Sequence, residues 1–126
     1  MNCPLHFEQT FNRMVVKVHT DNVERGWWTD LKTGLKKDRN MGELLCLVHS
    51  EISEAMEGDR KNLMDDKLPH RSMLEVELAD AIIRIMDLAG AKNLDLGGAI
   101  IEKLLYNSTR ADHKIENRMK ENGKAY

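Results

Sequence analysis

An all-α fold is predicted, four-helix-bundle-like with antiparallel helices, and three observations predict it. The chain carries only two prolines, both in segments without helical pattern. Aromatic residues and β-branched runs are few, which disfavours strands. Apolar residues recur at helical spacing in four stretches joined by short or moderate connections, as antiparallel packing requires.

The first helix is expected from near Pro4 and Leu5 to about Gly26, with Phe7, Phe11, Met14, Val15 and Val18 as its apolar stripe. A loop with Trp27-Trp28 and the cations Lys32, Lys36, Lys37 and Arg39 follows. Lys36 and Arg39 are within reach of a phosphate from that loop, although a solvated loop is their default reading. The second helix is expected from about Met41 to Glu57, with Gly58 as its stop. Asp59 to Arg71 reads as a connector. Ser72 with Glu75 three residues on is a capping-box signature, and starts a third helix that runs to about Ala89 and closes at Gly90. A fourth begins near Asp95 and runs past Arg110.

At 126 residues the chain is long enough for one domain, 1–126, with a core that needs no disulfide or structural metal. The charged stretch 115–126 is expected to fray. Charged residues make up 32% and balance to a net −2, so neither a nucleic acid nor a membrane is an expected partner. The stretch Met1-Asn2-Cys3-Pro4-Leu5-His6 lacks a basic region before an apolar one, so no secretory signal is expected. Cys3 and Cys46 read as free thiols, and the expected location is the cytoplasm.

Chemistry is concentrated in four acids. Glu51 and Glu54 lie i, i+3 on the second helix, and Glu77 and Asp80 lie i, i+3 on the third. That spacing puts each pair about one turn apart on neighbouring faces, so each can aim at one point. Glu51 falls on the stripe of Leu44, Val48 and Ala55, where an apolar residue is expected. The third helix presents Leu74, Leu78, Ala81, Ile82, Ile85 and Ala89 as its main apolar face, with Val76, Ile83 and Met86 elsewhere. Its polar remainder is a narrow stripe of Glu77, Asp80, Arg84 and Asp87, in which Asp87 is either an added or supporting metal ligand or, more plainly, the i, i+3 partner of Arg84. Carboxylates embedded in apolar pattern need a cationic partner, and four converging oxygen donors suit a hard cation. Solvated surface salt bridges are the competing account. On the fourth helix Lys103, Asn107, Arg110 and Lys114 follow i, i+4, i+7, i+11, a face suited to phosphate. No Glu-x-x-His pair occurs, which excludes a ferritin-like di-iron bundle.

With these motifs the chain resembles the MazG-like all-α nucleoside triphosphate pyrophosphohydrolases, in the compact single-domain version found in phage and cellular genomes. The matching text is S-E-I-S-E-A-M-E-G-D-R at 50–60, E-L-A-D-A-I-I-R-I-M-D-L-A at 77–89, Y-N-S-T-R at 106–110 and R-G-W-W at 25–28. It covers roughly residues 20–114. The chain departs from the family after Arg110, where Ala111-Asp112-His113-Lys114 replaces a common His-Gly pair.

The resemblance implies a homodimer or homotetramer that hydrolyses a nucleoside triphosphate to the monophosphate and pyrophosphate. Glu51, Glu54, Glu77 and Asp80 would hold Mg²⁺. Glu51 and Glu54 are the catalytic candidates, with Glu51 the first choice as general base. Lys103, Asn107 and Arg110 would hold phosphates, and Trp27 and Trp28 are the candidates to stack on the base, with Trp28 the one preferred. The alternative is a non-catalytic helical protein that binds metal or nucleotide for regulation.

Overall fold

The computed structural model describes residues 3–126. Met1 and Asn2, the start of the N-terminal stretch read above for a secretory signal, lie outside them. Among the described residues the regular structure is all helical: α1 Phe7–Glu24, α2 Met41–Lys61, α3 Met73–Ala91, α4 Leu96–Thr109 and the single turn α5 Ile115–Arg118, with a 3₁₀ turn at Ala111–His113. No described helix is long and apolar enough to cross a membrane. The chain divides into two compact units, one of residues 14–94 and one of residues 3–13 with 95–126.

In the first unit α2 and α3 form an antiparallel pair. The Asn40 side chain accepts from the Glu43 N–H at the start of α2. At the start of α3 the capping box is complete, with Ser72 accepting from the Glu75 N–H and Glu75 reaching back to the Ser72 N–H. Between them Asp65 N–H donates to Arg71 O, and Met73 N–H donates to Leu63 O, which closes a tight connector.

Both glycines expected as helix stops lie inside helices. Helix α2 continues through Gly58 to Lys61 and ends at Asn62, which takes the left-handed conformation at φ 52°. Gly58 is buried, and a Cβ there would come within 2.7 Å of Met73 Cβ and Cγ. Gly90 serves the contact of α1 with α3 in the same way, since its Cβ would meet His19 Cβ at 2.5 Å and Val15 O at 3.3 Å. Left-handed Asn93, at φ 54°, ends α3 instead.

The apolar face expected of α3 packs inside the unit only in part, through Ala81 and Ala89, joined by Met86 from outside that face. Ala81, Met86, Asp87 and Ala89 are buried, whereas Leu78 and Ile82 are exposed. A helix apolar most of the way round can bury several faces, and here the polar stripe is turned toward α2.

Asp87 is the anchor of this unit. Its carboxylate accepts from Trp28 Nε1 at 3.0 Å and Asn22 Nδ2 at 2.9 Å, and lies 2.8 Å from His19 Nδ1. The ion pair expected between Arg84 and Asp87 is therefore not formed, because each has a partner on another element. From buried Trp28 the chain makes a hairpin. Lys37 N–H donates to Trp28 O, Asp30 N–H to Leu35 O and Gly34 N–H to Asp30 O. Asp30 Oδ1 accepts from the Lys32 and Thr33 N–H groups, and Gly34 takes φ 73° at the turn.

In the second unit Asp95 caps α4 by accepting from the Gly98 N–H, and the Asn12 side chain joins Asp95 Oδ1 to the Gly97 N–H. Helix α4 ends at Thr109 and does not run past Arg110, whose extended backbone (ψ 128°) breaks the helical path. Lys103 and Asn107 are therefore on α4, while Arg110 and Lys114 are outside it. The stretch 115–126, expected to fray, contains α5, and Lys124 Nζ reaches Asp112 at 2.6 Å.

Two substitutions test this account. Gly90→Ala should lower unfolding stability by about 1–3 kcal/mol through overpacking against His19. Trp28→Phe should cost a similar amount, about 1–3 kcal/mol, by taking a donor from buried Asp87. Urea denaturation of each variant is the check, and midpoints unchanged from wild type would contradict the two contacts.

Candidate metal centre

Glu51 sits at the middle of α2 and is 8% exposed, with its carboxylate turned toward α3. From α3, half-buried Glu77 and Asp80 meet it, and one oxygen from each of the three lies within 4.8 Å of the others. Glu54 stands at the exposed edge, near enough to bear on both Glu51 and Glu77. Three of the four acids read from the sequence thus converge closely, and the fourth flanks them.

Protein groups answer only part of this charge. Arg84 Nε donates to Glu51 Oε1 at 2.7 Å. Burial raises the Glu51 pKa, but the Arg84 hydrogen bond and then proton sharing with Glu77 and Glu54 outweigh it, leaving Glu51 below the ordinary value. Glu77 has no such partner. Burial, then hydrogen bonding and repulsion from Glu51 and Glu54, push its pKa up to about 8. Its Oε2 is buried with no hydrogen-bond partner. Asp80 is raised by burial and then by the charge of Glu51, with Arg84 opposing and Asp65 adding to the rise.

Four carboxylates against one guanidinium leave an excess of negative charge if all ionise. A hard divalent cation fits that donor set, and Glu77 Oε2, buried without a hydrogen-bond partner, is an oxygen that could ligate one. Glu51, Glu77 and Asp80 could hold it.

A cavity of about 480 Å³ opens beside the acids. Its lining includes Glu51, Asp80, Arg84, Arg39 and Trp27. Trp27 is 62% exposed, while Trp28 is 8% exposed with its N–H on Asp87 and the Arg39 guanidinium 5.0 Å from its ring centroid. The exposed indole that lines the cavity beside the acids is therefore Trp27, not Trp28. Adjacent loop residues carry no periodicity that would separate the two in advance.

Lys103, Asn107 and Arg110 belong to the second unit. Arg110 is engaged by Asp112 through Nε at 3.0 Å and Nη2 at 2.6 Å. Lys103 Nζ lies 4.8 Å from the Tyr106 ring centroid. Asn107 Oδ1 is buried without a partner, so this amide presents an unmet acceptor as well as a donor. The cations described at the acids themselves are Arg84 and Arg39.

Sequence reasoning gave Arg84 and Asp87 the wrong partners and missed Asp65. Arg84 and Asp87 were paired with each other by spacing alone. Asp65, in the connector, is buried with Oδ2 accepting from the Lys67 N–H at 3.0 Å and the Leu68 N–H at 2.7 Å. No spacing on either helix points to it.

Comparison with family models, with curated proteins and with solved structures finds no match to this chain.

The raised Glu77 pKa gives a signed expectation. The folded state retains a proton that the unfolded chain releases above about pH 4.5, so metal-free stability declines as pH rises from there through about 8. Asp80 acts in the same sense, while Glu51 opposes it only at acid pH. Thermal melts in EDTA should show Tm falling across that window, with a flatter slope in Glu77→Gln. Mg²⁺ should raise Tm most at the alkaline end, where its ligands are deprotonated. A metal-free Tm that is flat with pH would remove Glu77 as the responsible group.

Proposed function

We propose that the centre between α2 and α3 binds Mg²⁺, or Mn²⁺ in its place, and that the chain hydrolyses a nucleoside triphosphate to the monophosphate and pyrophosphate. The observation that carries the reading is the unpartnered, buried Glu77 oxygen beside the converging oxygens of Glu51 and Asp80. A bound divalent ion would supply Lewis acidity and positive charge for phosphate oxygens.

The chain's own groups divide the remaining work. Arg84 keeps Glu51 ionised and oriented. Glu54, solvent-facing and without an ion pair among the described residues, is the carboxylate best placed to accept a proton from an attacking water, whereas Glu51 is committed to Arg84. Trp27 offers an exposed ring for a base. The phosphate contacts expected at Lys103, Asn107 and Arg110 fall in the other unit, where Arg110 is held by Asp112.

An oligomer and a completed bundle belong to the same reading. Leu45, Ile52 and Met56 form an exposed apolar stripe on α2, and Leu78 with Ile82 forms one on α3. Apolar stripes at helical spacing are what a second α2–α3 pair would cover in a homodimer or homotetramer.

A panel of nucleoside triphosphates with Mg²⁺ is the test. Pyrophosphate should be released from at least one, and Glu54→Gln should lower the rate by about a hundredfold or more. Asp80→Asn should weaken Mg²⁺ binding in calorimetry, a readout independent of turnover. Release of orthophosphate alone would overturn the bond assignment. Nucleotide binding without turnover across several metals would favour a non-catalytic regulator.

A further inference from the structure

The loop between α1 and α2 builds a second cavity of about 280 Å³, distinct in its charge from the acidic one. Lys36, Lys37 and Arg39 line it from the loop, Lys92 from the end of α3 and His19 from α1, with Trp28 as its apolar wall and Asp38 as its one carboxylate. Among the described residues, none of the four Lys and Arg side chains is within ion-pair distance of an acid.

Three features separate this arrangement from a solvated charge run. The cations come from two elements far apart in sequence and face one concavity. The hairpin that carries Lys36 and Lys37 is held by backbone hydrogen bonds and by the Asp30 turn, and it springs from Trp28, whose indole is anchored on buried Asp87. Arg39 is half-buried over the Trp28 ring, so its guanidinium is positioned before any ligand arrives. Four unpaired cations brought together repel one another, and an anion relieves that repulsion.

We propose that Lys36, Lys37, Arg39 and Lys92 form an anion site that takes a phosphate or diphosphate group. The cavity lies just below the usual range for small-molecule pockets, which suits a compact anionic group better than a whole nucleotide. A long polyanion is disfavoured by the chain's net charge of −2. Arg39 and Leu44 line this cavity and also the one beside the carboxylates, so the two adjoin. The anion is either the far end of a ligand held at the acidic centre or a separate phosphate compound beside it. Only the first of these sources rests on the pyrophosphohydrolase reading; anion binding itself does not.

The test is calorimetric titration of inorganic pyrophosphate into the full chain in EDTA at low salt. Wild type should bind it, and Lys37→Ala with Lys92→Ala should weaken binding at least tenfold while the thermal melt stays unchanged, since both side chains are exposed. Glu77→Gln should leave the affinity intact. No heat at millimolar pyrophosphate, or equal affinity in the double variant, would overturn the site. Because neither metal nor turnover enters the measurement, a chain that binds pyrophosphate but hydrolyses no nucleotide keeps this site and loses the enzymatic reading, and the reverse result does the opposite. A non-hydrolysable triphosphate analogue with Mg²⁺ then identifies the source. Displacement of pyrophosphate means one ligand spans both cavities, and simultaneous binding means a second anion; either outcome supports the site.

Discussion

Like charge confined between two helices is the constraint from which the rest of the first unit follows. Packing α2 on α3 brings Glu51, Glu77 and Asp80 together with little access to water, and such groups must be paired, protonated or bound to a cation. The chain uses the first two remedies in part. Arg84 answers Glu51, and Glu77 holds a proton to a pH at which a surface glutamate is fully ionised. Had evolution wanted only a stable helix pair, apolar residues at these positions would have served better, as replacements of buried ion pairs often show. The residual charge therefore speaks for a ligand rather than for stability.

Asp87 supplies the internal comparison. It lies on the same helix, ten positions beyond Glu77, and is also buried. Yet an indole N–H, an amide N–H and an imidazole nitrogen converge on it from α1 and from the segment that follows. A carboxylate satisfied by the fold ties elements together, and Asp87 ties α1 and the base of the hairpin to α3. A carboxylate that the fold leaves with a bare oxygen could instead hold a cation. The contrast between the two separates an architectural acid from one disposed toward a ligand, without appeal to any relative.

Much of this was legible in the sequence, and the failures have physical causes. The cap at Ser72 was readable because side chain and spacing specify the hydrogen bond, and the start of the fourth helix was placed near Asp95, its cap. Gly58 and Gly90 were misread as stops because a glycine that admits a neighbouring backbone and one that ends a helix are the same letter. The actual terminators, Asn62 and Asn93, take the left-handed conformation at a cost asparagine tolerates better than most residues. The carboxylate pairs were visible because helical periodicity predicts direction. Trp27 and Trp28 were not separable, since a loop has no such periodicity. Arg84 was assigned to its own helix neighbour, although a partner across a helix interface competes well when both groups are partly desolvated.

Charge is also sorted at a scale that composition hides. A chain that is nearly neutral overall places its acids between α2 and α3 and a set of unpaired cations in the adjoining cavity, with Arg39 on the boundary. Pairing these groups with one another would have been the cheaper use of both. Keeping them apart requires a rigid support for each, and both exist: the antiparallel helix pair for the acids and the Trp28-anchored hairpin for the bases. Segregation of this kind creates a steep local field across a short distance, in a cleft whose low-dielectric walls strengthen it. A molecule that is cation-rich at one end and anion-rich at the other matches that field, and a metal-bound phosphate compound has that polarity.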